Sequence, residues 1–234
     1  MVIFRKIFQE TKKSRRKYQL IAHQQPKSTI TEEYRNIRTN MEFASVDIKK
    51  RSLVITSVNA GEGKTTTASN IATVIAQQGK KVLIVDADLR KPALHQVFQV
   101  SNILGLTNVL TGSRIFEKCI QKTIVPNLDF LPCGPIPPNP AELLGSIAMK
   151  NLITDICNDY DLVIFDLPPI LPVTDAQIMA NQCDTSILVI RSKQTEKEGA
   201  IKAKTLLEKS SGKLLGVILN DHEYKHSNYY YGAD

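Results

Sequence analysis

Apolar positions along the chain follow two rhythms, and each predicts a kind of element. In TITEEYRNIRTNMEFASV, residues 29–46, the apolar residues Ile30, Tyr34, Ile37, Met41 and Ala44 recur at helical spacing. Thr29 followed by Glu32 has the form of a capping box at the start of that helix. Beyond it, apolar runs alternate with amphipathic stretches. LVITS (53–57) precedes the helix-like KTTTASNIATVIAQQG, and KVLIVDAD (81–88) follows it. Further runs are NLDFLP (127–132), DLVIFD (161–166), TSILVI (185–190) and KLLGVIL (213–219), with helical patterns near 141–158 and 196–209. The strongest of these runs are too continuous for strands with one wet face, so the sheet is covered on both sides. Strand–helix alternation implies right-handed crossovers, hence an α/β fold with a doubly wound, mostly parallel sheet. Ligands of such sheets sit beyond the carboxyl ends of the strands, which points to the residues after 57, 86 and 166.

All three places carry chemistry. Directly after the first run stands Ser57-Val-Asn-Ala-Gly61-Glu62-Gly63-Lys64-Thr65-Thr66. Gly61 and Gly63 let the backbone approach an anion closely, and the helix that follows presents its positive N-terminal end. Lys64 is placed to reach the β- and γ-phosphates of ATP, and the Thr65 hydroxyl to ligate Mg²⁺. The usual G-x-x-x-x-G-K-[ST] pattern has glycine where this chain has Val58. Asp86 ends the second run, Asp88 stands two residues on, and Asp166 ends another. Buried carboxylates at strand ends are costly unless a cation neutralises them, and Mg·ATP supplies that charge for all three. One of Asp86 and Asp88 is a candidate general base, Arg90 a candidate for stabilising phosphate charge, and Asn220 a candidate reader of adenine.

Charge changes the picture at the N-terminus. Of the net +7, residues 1–17 carry +6, from Arg5, Lys6, Lys12, Lys13, Arg15, Arg16 and Lys17 against Glu10. Such a segment suits a solvated tail or an anionic membrane surface. No apolar run reaches the roughly 18 residues of a membrane span, and the opening is too charged for a secretory signal. Cys119, Cys133, Cys157 and Cys183 are scattered and read as reduced thiols, so the expected compartment is the cytoplasm. The opposite end is unusual in another way. Tyr224, Tyr229, Tyr230 and Tyr231 supply four of the chain's seven tyrosines within its last eleven residues. Their neighbours are polar, which suits a mobile substrate segment rather than a buried strand.

With these motifs assembled, the chain resembles the cytoplasmic kinase domain of the bacterial tyrosine kinases of capsule and exopolysaccharide systems. The resemblance covers roughly residues 26–234. It rests on SVNAGEGKTTT, VLIVDADLRKP and VIFDLPP as Walker A, A′ and B motifs, on GPIPPNPAELL (134–144), and on the ending EYKHSNYYYGAD. It implies a P-loop NTPase fold related to that of the MinD and ParA ATPases, with tyrosine autophosphorylation as the activity. It implies catalytic roles for Lys64, Asp86, Asp88 and Asp166, and ATP contacts from Gly61, Glu62, Gly63, Lys64, Thr65, Thr66 and Asn220. Thr65, Asp86 and Asp166 match the Mg²⁺ site. Glu32, Arg35 and Arg38 match the E-x-x-R-x-x-R motif with which the family builds a ring of subunits.

Without a membrane span, the chain is similar to the family's separate kinase subunit. That form implies a transmembrane adaptor that recruits and activates it at the inner face of the membrane. A cognate tyrosine phosphatase and further protein substrates are also implied, and no nucleic acid. The expected division is a basic segment 1–25, a kinase domain 26–220 and a tyrosine-rich tail 221–234. The rival reading is a MinD- or ParA-like ATPase switch. Those proteins carry a lysine early in the loop, at the position of Asn59 here, and lack such a tyrosine cluster.

Overall fold

The computed structural model describes residues 2–4, 19–44 and 51–222. The basic cluster 5–17 and Tyr224, Tyr229, Tyr230 and Tyr231 lie outside them. In chain order the elements begin with β1 (Val2–Phe4), α1 (Ile21–Gln24), α2 (Thr29–Phe43), β2 (Ser52–Ser57), α3 (Lys64–Ala76) and β3 (Val82–Asp86). There follow α4 (Leu94–Phe98), α5 (Leu106–Leu110), α6 (Phe116–Cys119), β4 (Gln121–Lys122), β5 (Leu128–Leu131) and α7 (Pro140–Leu144). The chain continues with α8 (Ile147–Asp159), β6 (Leu162–Asp166), α9 (Asp175–Ala180), β7 (Thr185–Arg191), α10 (Lys197–Glu208) and β8 (Lys213–Asn220).

The strands form one sheet in the order β1-β8-β7-β2-β6-β3-β5-β4. Every pairing is parallel except β4 with β5. Every residue of β2, β3 and β5 is buried, as the unbroken apolar runs require of a sheet covered on both faces. One face packs through Leu53, Ile55, Ile84, Ile164 and Ile187 against α2 and α3. The other packs through Val54, Leu83, Val85, Val163 and Leu188 against residues of α8, α9 and α10. The register places Asp86 directly beside Asp166, because β3 and β6 are neighbours that end at the same level. The order also sets β2, which leads into the glycine loop, between β6 and β7. The carboxyl ends of four adjacent strands, β7, β2, β6 and β3, therefore frame one region.

Two boundaries differ from expectation. The segment 1–25 does not remain a solvated appendage throughout. Leu20 and Ala22 are buried, Ala22 N–H donates to Asn70 Oδ1 at 2.8 Å, and Asn70 Nδ2 returns a bond to the Gln19 carbonyl at 3.0 Å. Residues 19–24 thus belong to the folded domain, docked on α3 through buried Leu20 and Ala22 and the paired bonds to Asn70. At α2 the cap is Ser28 rather than Thr29, with Ser28 Oγ accepting from Thr31 N–H at 3.2 Å. Thr31 turns inward instead, donating to the Gln25 carbonyl at 2.8 Å. The helix stripe itself is as expected: Tyr34, Ile37 and Met41 are buried against the core.

Ile37 is fully buried on the face of α2 that meets α3. Replacing it with Ala removes three carbons that the neighbours cannot wholly recover, so Ile37→Ala should destabilise the protein by about 3 kcal/mol. A urea titration read by circular dichroism checks this, and an unchanged midpoint would show that α2 does not contribute to the cooperative core.

Candidate functional site

The loop after β2 is shaped by glycine and by one glutamate. Gly61 and Gly63 adopt φ values of 83° and 94°, in the left-handed region that other residues avoid. Gly63 is also the N-cap of α3, and a Cβ there would lie 2.1 Å from Asn220 Nδ2, so a larger residue would displace the Asn220 amide. The Glu62 side chain folds under the loop. Its Oε2 accepts from the backbone N–H of Val58 at 2.8 Å and of Asn59 at 3.0 Å, while Oε1 accepts from Thr195 Oγ1 at 2.7 Å. Glu62 is nearly buried, so its carboxylate organises the loop from below. Val58, standing where the common pattern has glycine, fills the apolar layer beneath instead.

Four ionisable side chains converge at the start of α3. Lys64 Nζ lies 2.9 Å from Asp88 Oδ2 and 3.4 Å from Asp166 Oδ1. Thr65 Oγ1 donates to Asp166 Oδ2 at 2.6 Å. Asp86 Oδ2 accepts from the N–H groups of Ala93 and Leu94, both at 3.0 Å, while its Oδ1 is buried without a protein partner. Burial, joined by the repulsion of Asp166, pushes the Asp86 carboxyl up to about 8. Asp166 is likewise raised, first by burial, although Lys64 and Thr65 oppose the shift. Burial works to lower the Lys64 ammonium, yet Asp166 and Asp88 together carry it above its ordinary value.

This donor set fits a divalent cation held with phosphate. Mg²⁺ is bound through a hydroxyl or one or two carboxylates while keeping water and phosphate oxygens as its other ligands. Thr65, Asp166 and the unpartnered Asp86 Oδ1 supply such a partial shell. Among the described residues no group of three or more His, Cys, Asp or Glu is placed to hold a metal ion by itself. A cavity of about 560 Å³ opens here, lined by Gly61, Lys64 and Thr65 on one side and by Asp88, Pro168 and Pro172 on the other. A second cavity, of about 360 Å³, lies beside Arg38 and Lys80, away from these groups.

A family model described as an AAA domain matches residues 50–213. Tyrosine-protein kinase YwqD of Bacillus subtilis is 55% identical over 222 residues, which is 94% of each chain. This chain belongs to the bacterial tyrosine-kinase family. The kinase domain of Escherichia coli tyrosine kinase ETK shares its fold at a TM-score of 0.88 and 34% identity, covering 99% of this chain and 95% of that one. MinD of Pyrococcus horikoshii, solved with Mg-ADP, superposes at a TM-score of 0.64 and 29% identity, over 73% of this chain and 70% of MinD. The family's P-loop sheet is therefore that of the MinD group, as the strand pattern and glycine loop imply.

The structure brings together Gly61, Glu62, Gly63, Lys64, Thr65, Thr66, Asp86, Asp88, Asp166 and Asn220 at one end of the sheet. At five positions the side chains have partners of their own within the chain. Asn220 spends its amide donor on the Glu62 carbonyl at 2.9 Å, holding the loop. Arg90 reaches the cavity wall, but its fork is bidentate on the wholly buried Asp175, at 2.8 and 2.9 Å. Of the helix motif, Glu32 and Arg35 form an ion pair with each other on the surface. Arg38 instead turns onto its own subunit, donating to the Val74 carbonyl at 3.1 Å near the end of α3. Sequence reading missed Arg191, Thr195 and Asp175. The rule applied after residues 57, 86 and 166 applies equally to Arg191, which ends the apolar run of β7 beside the loop-bearing strand.

In protein kept free of metal by a chelator, Asp86 retains its proton to about pH 8, whereas an unfolded aspartate releases it near pH 3.9. The folded state thus binds the extra proton throughout that window, and the group's contribution to stability falls as pH rises from about 4 to about 8. Thermal midpoints measured across that range should decline, and Asp86→Asn should flatten the decline. Parallel profiles for the two proteins would place the titration elsewhere.

Proposed function

We propose that this chain is a Mg·ATP-dependent protein-tyrosine kinase that phosphorylates the tyrosine cluster of its own C-terminal tail, in trans, within a ring of identical subunits. The observation that carries the reading is the convergence of Lys64, Asp88, Asp166 and Thr65 on a loop whose last supporting residue, Asn220, stands four positions before Tyr224. Asn220, which precedes the tail, is in contact with the phosphate loop through the Glu62 carbonyl. Such transfer forms a bond between the tyrosine oxygen and the γ-phosphorus and breaks the bond to the ADP oxygen, with the phenolic proton passing to a carboxylate.

The residues divide the work by position. Backbone N–H groups of the loop and the N-terminal end of α3 hold phosphate oxygens, and Lys64 adds its charge. Mg²⁺, when bound, neutralises charge on the transferring phosphate and orients it. Thr65, Asp86 and Asp166 are the residues that would hold the ion. Asp88 is the better placed base of the Walker A′ pair, since it lines the cavity while Asp86 is fully enclosed with one oxygen fixed by two backbone N–H groups. Pro168 and Pro172 give the cavity an apolar wall suited to a tyrosine ring.

Regulation of capsule or exopolysaccharide synthesis is the role this activity would serve. Among the described residues no helix is long and apolar enough to cross a membrane. A separate transmembrane adaptor would bring the kinase to the inner face of the membrane, where the basic cluster 5–17 would meet anionic lipid. The ring would use the Glu32–Arg35 pair on the surface of α2, with Arg38 bracing that helix on α3. Four tail phosphates would add roughly −6 to −8 of charge, enough to repel neighbouring subunits, and a cognate phosphatase would reset them. Further protein substrates would enter the same cavity.

Purified protein incubated with Mg·ATP, with and without an adaptor's cytoplasmic segment, should accumulate phosphotyrosine. Lys64→Met and a variant with Tyr224, Tyr229, Tyr230 and Tyr231 all changed to Phe should each abolish it. Asp88→Asn should lower the rate by about a hundredfold or more, in the range of a lost general base. Hydrolysis of ATP without phosphotyrosine in any condition would instead favour a MinD-like switch.

A further inference from the structure

The phosphate loop is held from outside by side chains that its own sequence does not contain. Arg191, the last residue of β7, donates from Nη1 to the Gly61 carbonyl at 3.3 Å. Its Nε and Nη2 donate to Asp221 Oδ2 at 2.9 and 2.8 Å. Asn220, the last residue of β8, donates to the Glu62 carbonyl. Thr195 accepts from Arg191 N–H at 2.7 Å and passes its own hydroxyl to Glu62 Oε1, tying the same turn to the loop's carboxylate. Two successive loop carbonyls are therefore pinned toward the ends of β7 and β8.

In a trans peptide the carbonyl and the N–H that follows it point in opposite directions. Pinning the Gly61 and Glu62 carbonyls toward β7 and β8 consequently directs the N–H groups of Glu62 and Gly63 to the opposite side of the loop. These peptide units are flanked by glycines in the left-handed region, where a flip costs little unless something holds the carbonyl. Asp221 itself adopts φ of 56°, a left-handed conformation that aspartate and asparagine tolerate better than other non-glycine residues. The Arg191 ion pair is the contact that uses it.

We infer that Arg191 and Asp221 are positioning residues for the phosphate-binding amides, making the root of the C-terminal tail a working part of the nucleotide site. The inference rests on the nucleotide-site reading above and adds a direction of coupling. Whatever draws Asp221 away from Arg191 loosens the loop, and a well-seated phosphate favours the Asp221 pairing in return.

The sign of one substitution separates positioning from simple charge. Arg191→Ala removes a positive charge as well as the pin, so weaker anion binding would follow on either account. Asp221→Asn removes a negative charge, which by electrostatics alone tightens the binding of an anion. Positioning requires it to weaken binding. Asparagine tolerates the left-handed backbone, so the substitution leaves the turn intact.

The experiment is calorimetric titration of Mg·ADP into the full chain and into Arg191→Ala, Arg191→Lys and Asp221→Asn, with thermal midpoints recorded without nucleotide. Arg191→Ala should weaken binding about tenfold, the worth of one charge-assisted hydrogen bond, and Asp221→Asn about threefold. Arg191→Lys, which keeps a donor for the Gly61 carbonyl, should recover part of the loss. Equal or tighter binding by a folded Asp221→Asn overturns the inference, even if Arg191→Ala fails to fold. Absence of Mg·ADP binding by the unaltered chain would overturn the nucleotide-site reading itself, an outcome distinct from wild-type affinity in the variants.

Discussion

Everything at this end of the molecule answers to the crowding of three carboxylates around one ammonium. Asp86, Asp88 and Asp166 are all nearly or wholly buried, and among the described residues Lys64 is the only cation whose contacts reach two of them. Desolvating such groups costs several kcal/mol per ion before any attraction is counted. The protein offsets this locally. Asp166 takes a hydroxyl from Thr65, Asp88 accepts backbone N–H groups of Arg90 and Lys91, and Asp86 accepts two more from Ala93 and Leu94. What remains is an excess of negative charge and a buried oxygen, Asp86 Oδ1, that no donor among the described residues reaches. A divalent cation removes both deficits together, which is why the arrangement reads as a site and not as a packing accident.

The crowding also explains the strand order. Carboxylates from β3 and β6 can share one cation only if those strands are neighbours ending at the same level, and the register sets Asp86 beside Asp166. The lysine must come from the helix that follows an adjacent strand, which is β2, paired with β6 on one side and β7 on the other. The second of those neighbours has the less obvious task. By carrying Arg191 to the back of the glycine loop, β7 supplies the loop's exterior support, while β6 supplies the acid in front.

This division accounts for what the sequence disclosed and what it withheld. The buried strands were legible because a run such as VLIVD allows few other environments, and the glycine loop because GEGKTT combines a turn, a lysine and a helix start in six residues. The short helices α4, α5 and α6 and the antiparallel strand β4 were not, since each spans five residues or fewer and carries little periodicity of its own. The docking of residues 19–24 depends on Asn70, a polar residue in the middle of α3 whose partner lies 48 positions away and leaves no local trace. The same holds for Glu62. Its place in the loop was visible, but its role beneath Val58 and Asn59 depends on Thr195, which nothing near residue 62 announces. Arg38 is a similar case: its bond to the Val74 carbonyl reaches across 36 positions and leaves no local trace.

The two acids of the Walker A′ strand illustrate why a spacing alone leaves roles open. Asp86 and Asp88 lie two residues apart, yet the strand ends between them, and that boundary assigns them different environments. Asp86, the last strand residue, sits level with Asp166 and shares its enclosure, where repulsion and burial keep it protonated to about pH 8 in the absence of a cation. Asp88, just past the end, reaches the cavity and the Lys64 ammonium. A base must touch the solvent-facing substrate, and a metal ligand must be held rigidly behind the phosphate. On the proposed function, the end of β3, falling between the two residues, would let one short motif supply both.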